Sequence, residues 1–149
     1  MTIAVDVSSD GVRSPLSQVR VAHIASRTLR SEGIRHAMVS IAFVSNRAIA
    51  TLNKRHFGHR GATDIISLGF KRHASAAPIV GDIYIAPDIA RANARLHGSG
   101  VRAEIARLIV HGVLHILGHE HPEGPGRTAS DMWLRQERLL AHIPAPAAR

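Results

Sequence analysis

The residues best suited to chemistry lie in one short stretch, HGVLHILGHEH, at positions 111–121. His111 and His115 are four residues apart in an apolar segment typical of a helix, so their imidazole rings project from the same helical face. Gly118 ends the helix and lets the chain turn back, so His121 can bring a third ring nitrogen to the same point. Zinc binds histidine nitrogens in a tetrahedral arrangement, and three histidines leave its fourth position open to water. The spacing therefore predicts a catalytic centre with one zinc ion per chain.

The same spacing is compatible with sites of two different kinds. A buried pair such as His111 and His115 can hydrogen-bond to backbone carbonyl groups without any metal. The ring nitrogens of three histidines around one helix end are harder to pair with backbone carbonyl groups, which favours a metal. The spacing is also that of the metzincin proteases, whose helix carries H-E-x-x-H. Here Gly112 stands where those proteases have the glutamate that acts as base, which argues against a protease of that type.

Charge and composition narrow the class of protein further. The net charge is +8, and nearly all of the basic excess is arginine. The planar guanidinium group binds phosphate through paired hydrogen bonds, which indicates a polyanion such as RNA, although an arginine-rich composition explains the charge equally well. The absence of cysteine excludes disulfides, thiolate zinc sites and a cysteine nucleophile. We find no secretory signal pattern and no apolar run near the ~18 residues of a membrane span, so we expect a cytoplasmic protein without membrane partners.

The elements that must position the histidines alternate between strands and helices. Hydrophobic periodicity predicts four strands, near residues 3–7, 36–45, 63–70 and 80–87. Five helices are predicted, from Ser14 and Pro15 to Gly33, near 47–56, 88–97 and 101–117, and a last one opened by Thr128 and Ser130. The third and fourth strands are joined by a loop too short for a crossover helix, so this pair is expected to be antiparallel.

These elements predict an α+β fold with a four-stranded mixed sheet covered by about five helices. The metal site then lies on a helix and on the turn after it. We expect one domain over residues 1–143 and a disordered tail over residues 144–149, where PAPAAR has nothing to hold it.

Three segments resemble the YbeY family of bacterial endoribonucleases and ribosomal-RNA maturation factors. The family signature H-G-x-L-H-x-x-G-[YF]-D-H matches HGVLHILGHEH except at His119 and Glu120, and Glu120 keeps the carboxylate of the aspartate that it replaces. TDIISLGF at 63–70 resembles the family strand T-D-V-L-S-F, and GDIYIAPDIARANA at 81–94 resembles its strand running into a helix. The resemblance extends over about residues 38–140.

The resemblance implies a zinc-dependent endoribonuclease that cuts single-stranded RNA in rRNA 3′-end maturation and ribosome quality control. The implied partners are ribosomal RNA and the small ribosomal subunit, with no DNA expected. The family also has an arginine after its L-N pair, but Phe57 occupies that position, and Arg55 and Arg60 are the neighbours that can reach a phosphate. Glu120 can orient a ligand or accept a proton. The candidate catalytic residues are Glu120, Arg60 and Arg55, and the candidate metal ligands are His111, His115 and His121.

Two other functions fit the same residues. One is a non-enzymatic RNA-binding ribosome-assembly factor with a structural zinc, in which His119 or Glu120 supplies a fourth ligand. The other is a metal-dependent hydrolase of another substrate, in which the positive charge is incidental.

Four further residues have two possible roles each. Asp64 and Asp82 lie at predicted strand ends, where they either accept hydrogen bonds from ligand histidines or serve as turn and cap residues, and the second role is favoured. Phe57 and Phe70 are candidate stacking platforms for RNA bases, although packing in the core is the default for both.

Overall fold

A four-stranded sheet lies at the centre of the computed structural model, which describes residues 1–143, with only the backbone described at Pro125 and Ala129. The elements in chain order are β1 (Thr2–Ser9), α1 (Gln18–Ser31), β2 (His36–Phe43), α2 (Asn46–Phe57), β3 (Ile65–Gly69), β4 (Ile79–Ile85), α3 (Pro87–Leu96), α4 (Val101–Ile116), a 3₁₀ helix (Gly124–Ala129) and α5 (Asp131–Ala141). The tail predicted at 144–149 falls outside the described residues.

The sheet is mixed, with the strand order β1-β2-β4-β3. β1 pairs with β2, and β2 with β4, in parallel, while β3 and β4 form an antiparallel pair. Parallel neighbours need a long crossover, which α1 provides between β1 and β2, whereas the short connection after β3 permits a hairpin. The predicted α+β fold and the predicted antiparallel pair are therefore confirmed.

The helix that carries two of the histidines, α4, packs directly against the sheet. Its residue Gly112 lies so close to β3 and β4 that a Cβ atom there would meet Ile65 Cδ1 at 2.9 Å and Ile83 Cδ1 at 3.1 Å. Eleven of the sixteen residues of α4 are buried, so most of its circumference is enclosed by the core. This packing fixes the direction in which His111 and His115 project.

The structure differs from the sequence prediction at the start of two helices. The first helix begins at Gln18, where Ser17 Oγ accepts a hydrogen bond from the Arg20 amide. Ser14, the predicted cap, instead donates to the Leu16 carbonyl and accepts from the Leu16 amide, so it closes a turn before the helix. That predicted start was wrong because serine stabilises turns and caps with the same hydroxyl group. For the last helix, Ser130 is the N-cap as predicted, whereas Thr128 lies in a preceding 3₁₀ helix that was not predicted.

Candidate metal centre

Three histidine side chains converge at the end of α4. The Nε2 atoms of His115 and His111 are 3.0 Å apart, and those of His121 and His111 are 3.3 Å apart. One ring nitrogen from each histidine lies within 4.8 Å of the other two. Gly118, in a left-handed conformation with φ of 96°, reverses the chain between His115 and His121. The structure therefore brings together the three histidines that the sequence singles out.

The outer nitrogen of His111 is held by a buried glutamine on α5. His111 Nδ1 lies 2.7 Å from Gln136 Oε1. The amide nitrogen of Gln136 donates to Glu137 Oε2 at 3.2 Å, which directs the amide oxygen towards the ring. His111 consequently donates its single N–H to Gln136 and leaves an Nε2 lone pair facing the other two rings.

The other two rings have backbone groups beside them. His121 Nδ1 donates to the Pro122 carbonyl at 3.1 Å, and the backbone of His119 favours the protonated form of the His115 ring and so acts to raise its pKa. Three Nε2 lone pairs that face one another cannot satisfy each other, but one cation satisfies all three. Tetrahedral zinc at ~2.0–2.1 Å from nitrogen separates its ligand atoms by about 3.3 Å. The donor set and the observed separations thus fit a divalent metal such as zinc.

The helical histidines have the protonation state that metal binding requires. Burial lowers the pKa of His111 to about 4 and also lowers the pKa of His115. The positive charge of Arg127 acts in the same direction on both pKa values. Both rings are therefore neutral at pH 7, and no proton has to leave before they coordinate a metal.

An open cleft of about 570 Å³ lies in front of the three rings. One wall is formed by the end of α2 and by the chain around the start of β3, and the other by the turn after α4 and the 3₁₀ helix. Glu120 and Glu123 project into the cleft from the second wall, and both are exposed.

The predicted arginines do not line this cleft. Arg55 and Arg60 are exposed and are not among the described residues that form its walls. Phe57, at the position of the family arginine, does line it with 47% of its surface exposed, and its ring stacks beside His59. Phe70 is also exposed, so neither phenylalanine has the core role that was the default expectation.

Arg127, on the 3₁₀ helix, is the cleft residue that sequence reasoning missed. Its side chain lines the cleft and also a neighbouring cavity. It forms no ion pair with any residue in the described part of the chain, and its Cζ atom lies 5.6 Å from the centre of the Trp133 ring. A lone arginine in the sequence GPGRTAS carries no signal of this position, because no periodic pattern marks that segment.

The candidate fourth ligand His119 points away from the other histidines. Its Nε2 lies 2.9 Å from Glu32 Oε1, and Arg135 Nη1 lies 2.9 Å from the other carboxylate oxygen of Glu32. The Glu32 side chain is only 8% exposed. His119 therefore ties the turn after α4 to Glu32 at the C-terminal end of α1, which also binds Arg135 in the middle of α5, and His119 is not part of the three-histidine group.

The two aspartates contact no histidine through the hydrogen bonds of the described residues. Asp64 lines the cleft and accepts hydrogen bonds from Thr63 and Asn93, each at 3.4 Å. Asp82 accepts a hydrogen bond of 2.6 Å from Ser40, its partner on the neighbouring strand. Neither aspartate orients a metal ligand through these contacts, but the favoured role as a turn or cap residue was wrong for Asp82, which lies inside β4 and pairs with Ser40 on β2.

The fold and the site define an α+β protein with a three-histidine centre at a helix end, and comparisons with known proteins place it among relatives. The family model for endoribonuclease YbeY matches residues 7–144, and the chain belongs to this family. Similar proteins named endoribonuclease YbeY occur in Frankia casuarinae, at 30% identity over 93% of this chain and 74% of the relative, and in Moorella thermoacetica, at 33% over 87% and 85%.

Two further comparisons bear on length and fold. An Anaeromyxobacter relative of the same name is 34% identical over 80% of this chain, and the match spans 62% of the relative. A Thermotoga maritima protein solved in solution superposes with a TM-score of 0.61 over 93% of this chain and 88% of its own, at 21% identity, which shows a shared fold. Across residues 1–143, none of the helices has the length and apolar character to cross a membrane.

Proposed function

We propose that this protein is a zinc-dependent endoribonuclease that hydrolyses phosphodiester bonds in single-stranded RNA. The observation that carries this proposal is the convergence of three imidazoles on one point at the wall of an open cleft. Membership of the YbeY family and the net charge of +8 support a polyanionic substrate. The proposal extends to rRNA 3′-end maturation and ribosome quality control in the cytoplasm, with the small ribosomal subunit as partner.

The three histidines would hold the ion, and the remaining cleft residues would handle the substrate. When bound, such an ion supplies a Lewis acid and acidifies a water molecule. In the proposed reaction the oxygen of a water molecule attacks phosphorus and Glu120 accepts its proton. The bond from phosphorus to the leaving sugar oxygen breaks with its electron pair on that oxygen, which takes up a proton from solvent. Glu120 suits this role because it lines the cleft beside His121 and stays accessible to water.

An arginine is needed to stabilise the extra negative charge that develops on the phosphoryl oxygens. Arg127 suits this role because it lines the cleft, has no ion-pair partner among residues 1–143, and lies close enough for its charge to lower the pKa of both helical histidines. Arg55 and Arg60 are proposed to hold the RNA backbone farther from the metal, since they lie outside the walls of the cleft.

The test combines zinc content with cleavage of a single-stranded RNA by the full chain. We expect about one zinc ion per wild-type chain, and we expect His115→Ala to lose both zinc and cleavage. His23→Ala, which removes an exposed histidine on α1, should keep both. Equal zinc in wild type and His115→Ala would reject the ligand assignment. Zinc-loaded wild type that cuts no RNA would instead favour the assembly factor.

Arginine variants separate metal binding from catalysis in the same assay. Arg127→Ala should keep its zinc but lose about 100-fold in kcat, as is usual when one group that stabilises developing charge is removed. The double variant Arg55→Ala with Arg60→Ala should weaken RNA binding and its dependence on salt, with a smaller change in kcat. A loss of kcat in the double variant alone would move the catalytic role from Arg127 to the loop.

A further inference from the structure

A second cavity, of about 360 Å³, lies on the other side of His111. His111 separates the two spaces, because its Nε2 faces the metal centre while its Nδ1 is bonded to Gln136, which lines the second cavity. Asp64, Leu108 and Arg127 also line both spaces, so a ligand in one lies next to a ligand in the other. The volume falls in the range of ~300–1,000 Å³ that is typical of small-molecule sites.

Two buried polar groups that line this cavity lack hydrogen-bond partners. Glu104 Oε1 and Arg107 Nε are both buried, and neither makes a hydrogen bond within the described part of the chain. The Glu104 side chain is 8% exposed, and its 3.6 Å contact with Arg107 Nη1 is too long for a hydrogen bond. The same holds for the 3.7 Å ion pair between Arg107 Nε and Glu137 Oε2. Buried polar atoms without partners are rare in folded proteins and indicate that something else satisfies them. The pair offers one acceptor and one donor side by side.

The cavity also contains a flat aromatic ring with a cation over one face. Trp133, on α5, lines the cavity, and the guanidinium carbon of Arg127 lies over the indole ring, 5.6 Å from its centre. Proteins bind single-stranded RNA by stacking bases on aromatic rings and by hydrogen bonds to the base edges. Arg127 faces both spaces, so a phosphate held at the metal centre and a base against Trp133 can belong to one nucleotide.

We propose that the cavity formed by Glu104, Arg107, Arg127 and Trp133 is a subsite for one RNA base next to the bond that is cut. The base takes the place of the Arg127 guanidinium over the Trp133 ring, and its edge donates to Glu104 and accepts from Arg107. Arg127 moves off the ring and binds the adjoining phosphate. This inference rests on the proposed function, because it takes the ligand to be single-stranded RNA.

Fluorescence gives a test that does not depend on cleavage. Trp133 is the only tryptophan in the chain, so intrinsic tryptophan fluorescence reports on this cavity alone. In EDTA, we expect a five-nucleotide single-stranded RNA to quench the fluorescence. A set of the same RNAs, each with one base removed, should contain one member that binds about ten-fold more weakly and loses the quenching. Equal quenching and affinity across the whole set would overturn the proposal and leave water as the occupant.

Variants test whether the affinity lost on removal of the critical base comes from contact with Trp133. Trp133→Leu should bind the intact RNA about ten-fold more weakly, measured by anisotropy of labelled RNA, and removal of the critical base should then cost nothing more. Trp133→Phe should recover most of the affinity, and Leu134→Ala, which truncates an exposed apolar residue next to Trp133 on α5 but outside both spaces, should behave as wild type. Additive losses from the variant and the missing base would overturn the proposal.

A second variant covers the case in which Trp133→Leu does not fold. Glu104→Gln keeps the shape of the side chain and should reduce the discrimination between intact RNA and the RNA that lacks the critical base. Unchanged discrimination in Glu104→Gln would remove Glu104 from the subsite and overturn the proposal as stated. Because all of these measurements are made without zinc, a protein that binds the base but cuts no RNA would contradict only the proposed function.

Discussion

The two halves of the metal centre are built differently. His111 and His115 belong to α4, most of which is buried against the sheet and the neighbouring helices. His121 follows a turn, in a segment where Glu120, Glu123 and Arg127 are all exposed. Packing on several sides gives the helical nitrogens one position, whereas the third nitrogen depends on a few specific contacts. The contrast indicates that the helix sets the geometry of the site and the turn brings the groups that meet the substrate.

The exposed half of the metal centre, which carries His121, is held by a few local contacts rather than by a hydrophobic core. Gly118 turns the chain, and Glu32 binds both His119 and Arg135. At the end of the segment, Ser130 Oγ accepts from the Trp133 amide and starts α5. Each such contact is worth only about 1 kcal/mol net, so this half is expected to respond to changes that leave the buried half intact.

The largest expected effect comes from disturbing the buried half. Gly112→Val places a branched side chain where Ile65, Ile83 and Ser67 already approach within 2.9–3.1 Å, so α4 must move away from the sheet. We expect a loss of about 2–3 kcal/mol in the free energy of unfolding, together with weaker zinc binding. Urea denaturation and zinc titration measure the two effects. Ala103→Val, on the exposed face of the same helix, is the matched control and should change stability by less than about 1 kcal/mol. Equal effects would show that the close contact is not what orients the histidines.

A smaller effect on zinc binding is expected when a contact that holds the exposed half of the metal centre is removed. Glu32→Gln removes the charge that binds His119 and Arg135, so the turn carrying His121 loses one of its restraints. We expect zinc affinity to fall about ten-fold, as is typical when a group that supports a metal ligand is removed. Asp88→Asn, which weakens an exposed ion pair with Arg91 on α3, should leave zinc affinity unchanged. Competition with a zinc chelator measures the affinity of both variants. Equal affinity for Glu32→Gln and wild type would show that the contacts of Glu32 with His119 and Arg135 do not help to position His121.

The smallest effect concerns a charge within the buried half. Burial raises the pKa of Glu104 above 4.5, although Arg107 opposes the shift. The folded state therefore binds more protons than the unfolded state once the pH exceeds 4.5, so this group lowers stability as pH rises through the raised pKa. Glu104→Gln should be more stable than wild type by about 1 kcal/mol at pH 7, with little difference at about pH 4. Thermal unfolding at the two pH values measures this, and a difference that does not depend on pH would contradict it.

Much of the fold was predictable because its signals are local. Alternating apolar residues marked the four strands, the short loop after β3 required an antiparallel hairpin, and glycine marked the end of α4 at Gly118. The histidine spacing predicted the convergence of His111, His115 and His121 for the same reason, since two ligands share one helix and the third follows a single turn. The start of α1 was misplaced because two serines, one closing the turn and one capping the helix, offer the same hydroxyl group within four residues.

The surroundings of the three histidines could not be predicted in this way. Gln136 reaches His111 from a helix 25 residues later, and Glu32 reaches His119 from 87 residues earlier. Which arginine faces the cleft was likewise set by how the 3₁₀ helix and α5 fold back on α4, so Arg127 lines it while the two arginines near the end of α2 do not. Spacing along the chain predicts which side chains meet only within one helix and the turn that follows it. Contacts between residues farther apart in the sequence depend on how helices and strands pack together, and no local sequence pattern encodes that packing.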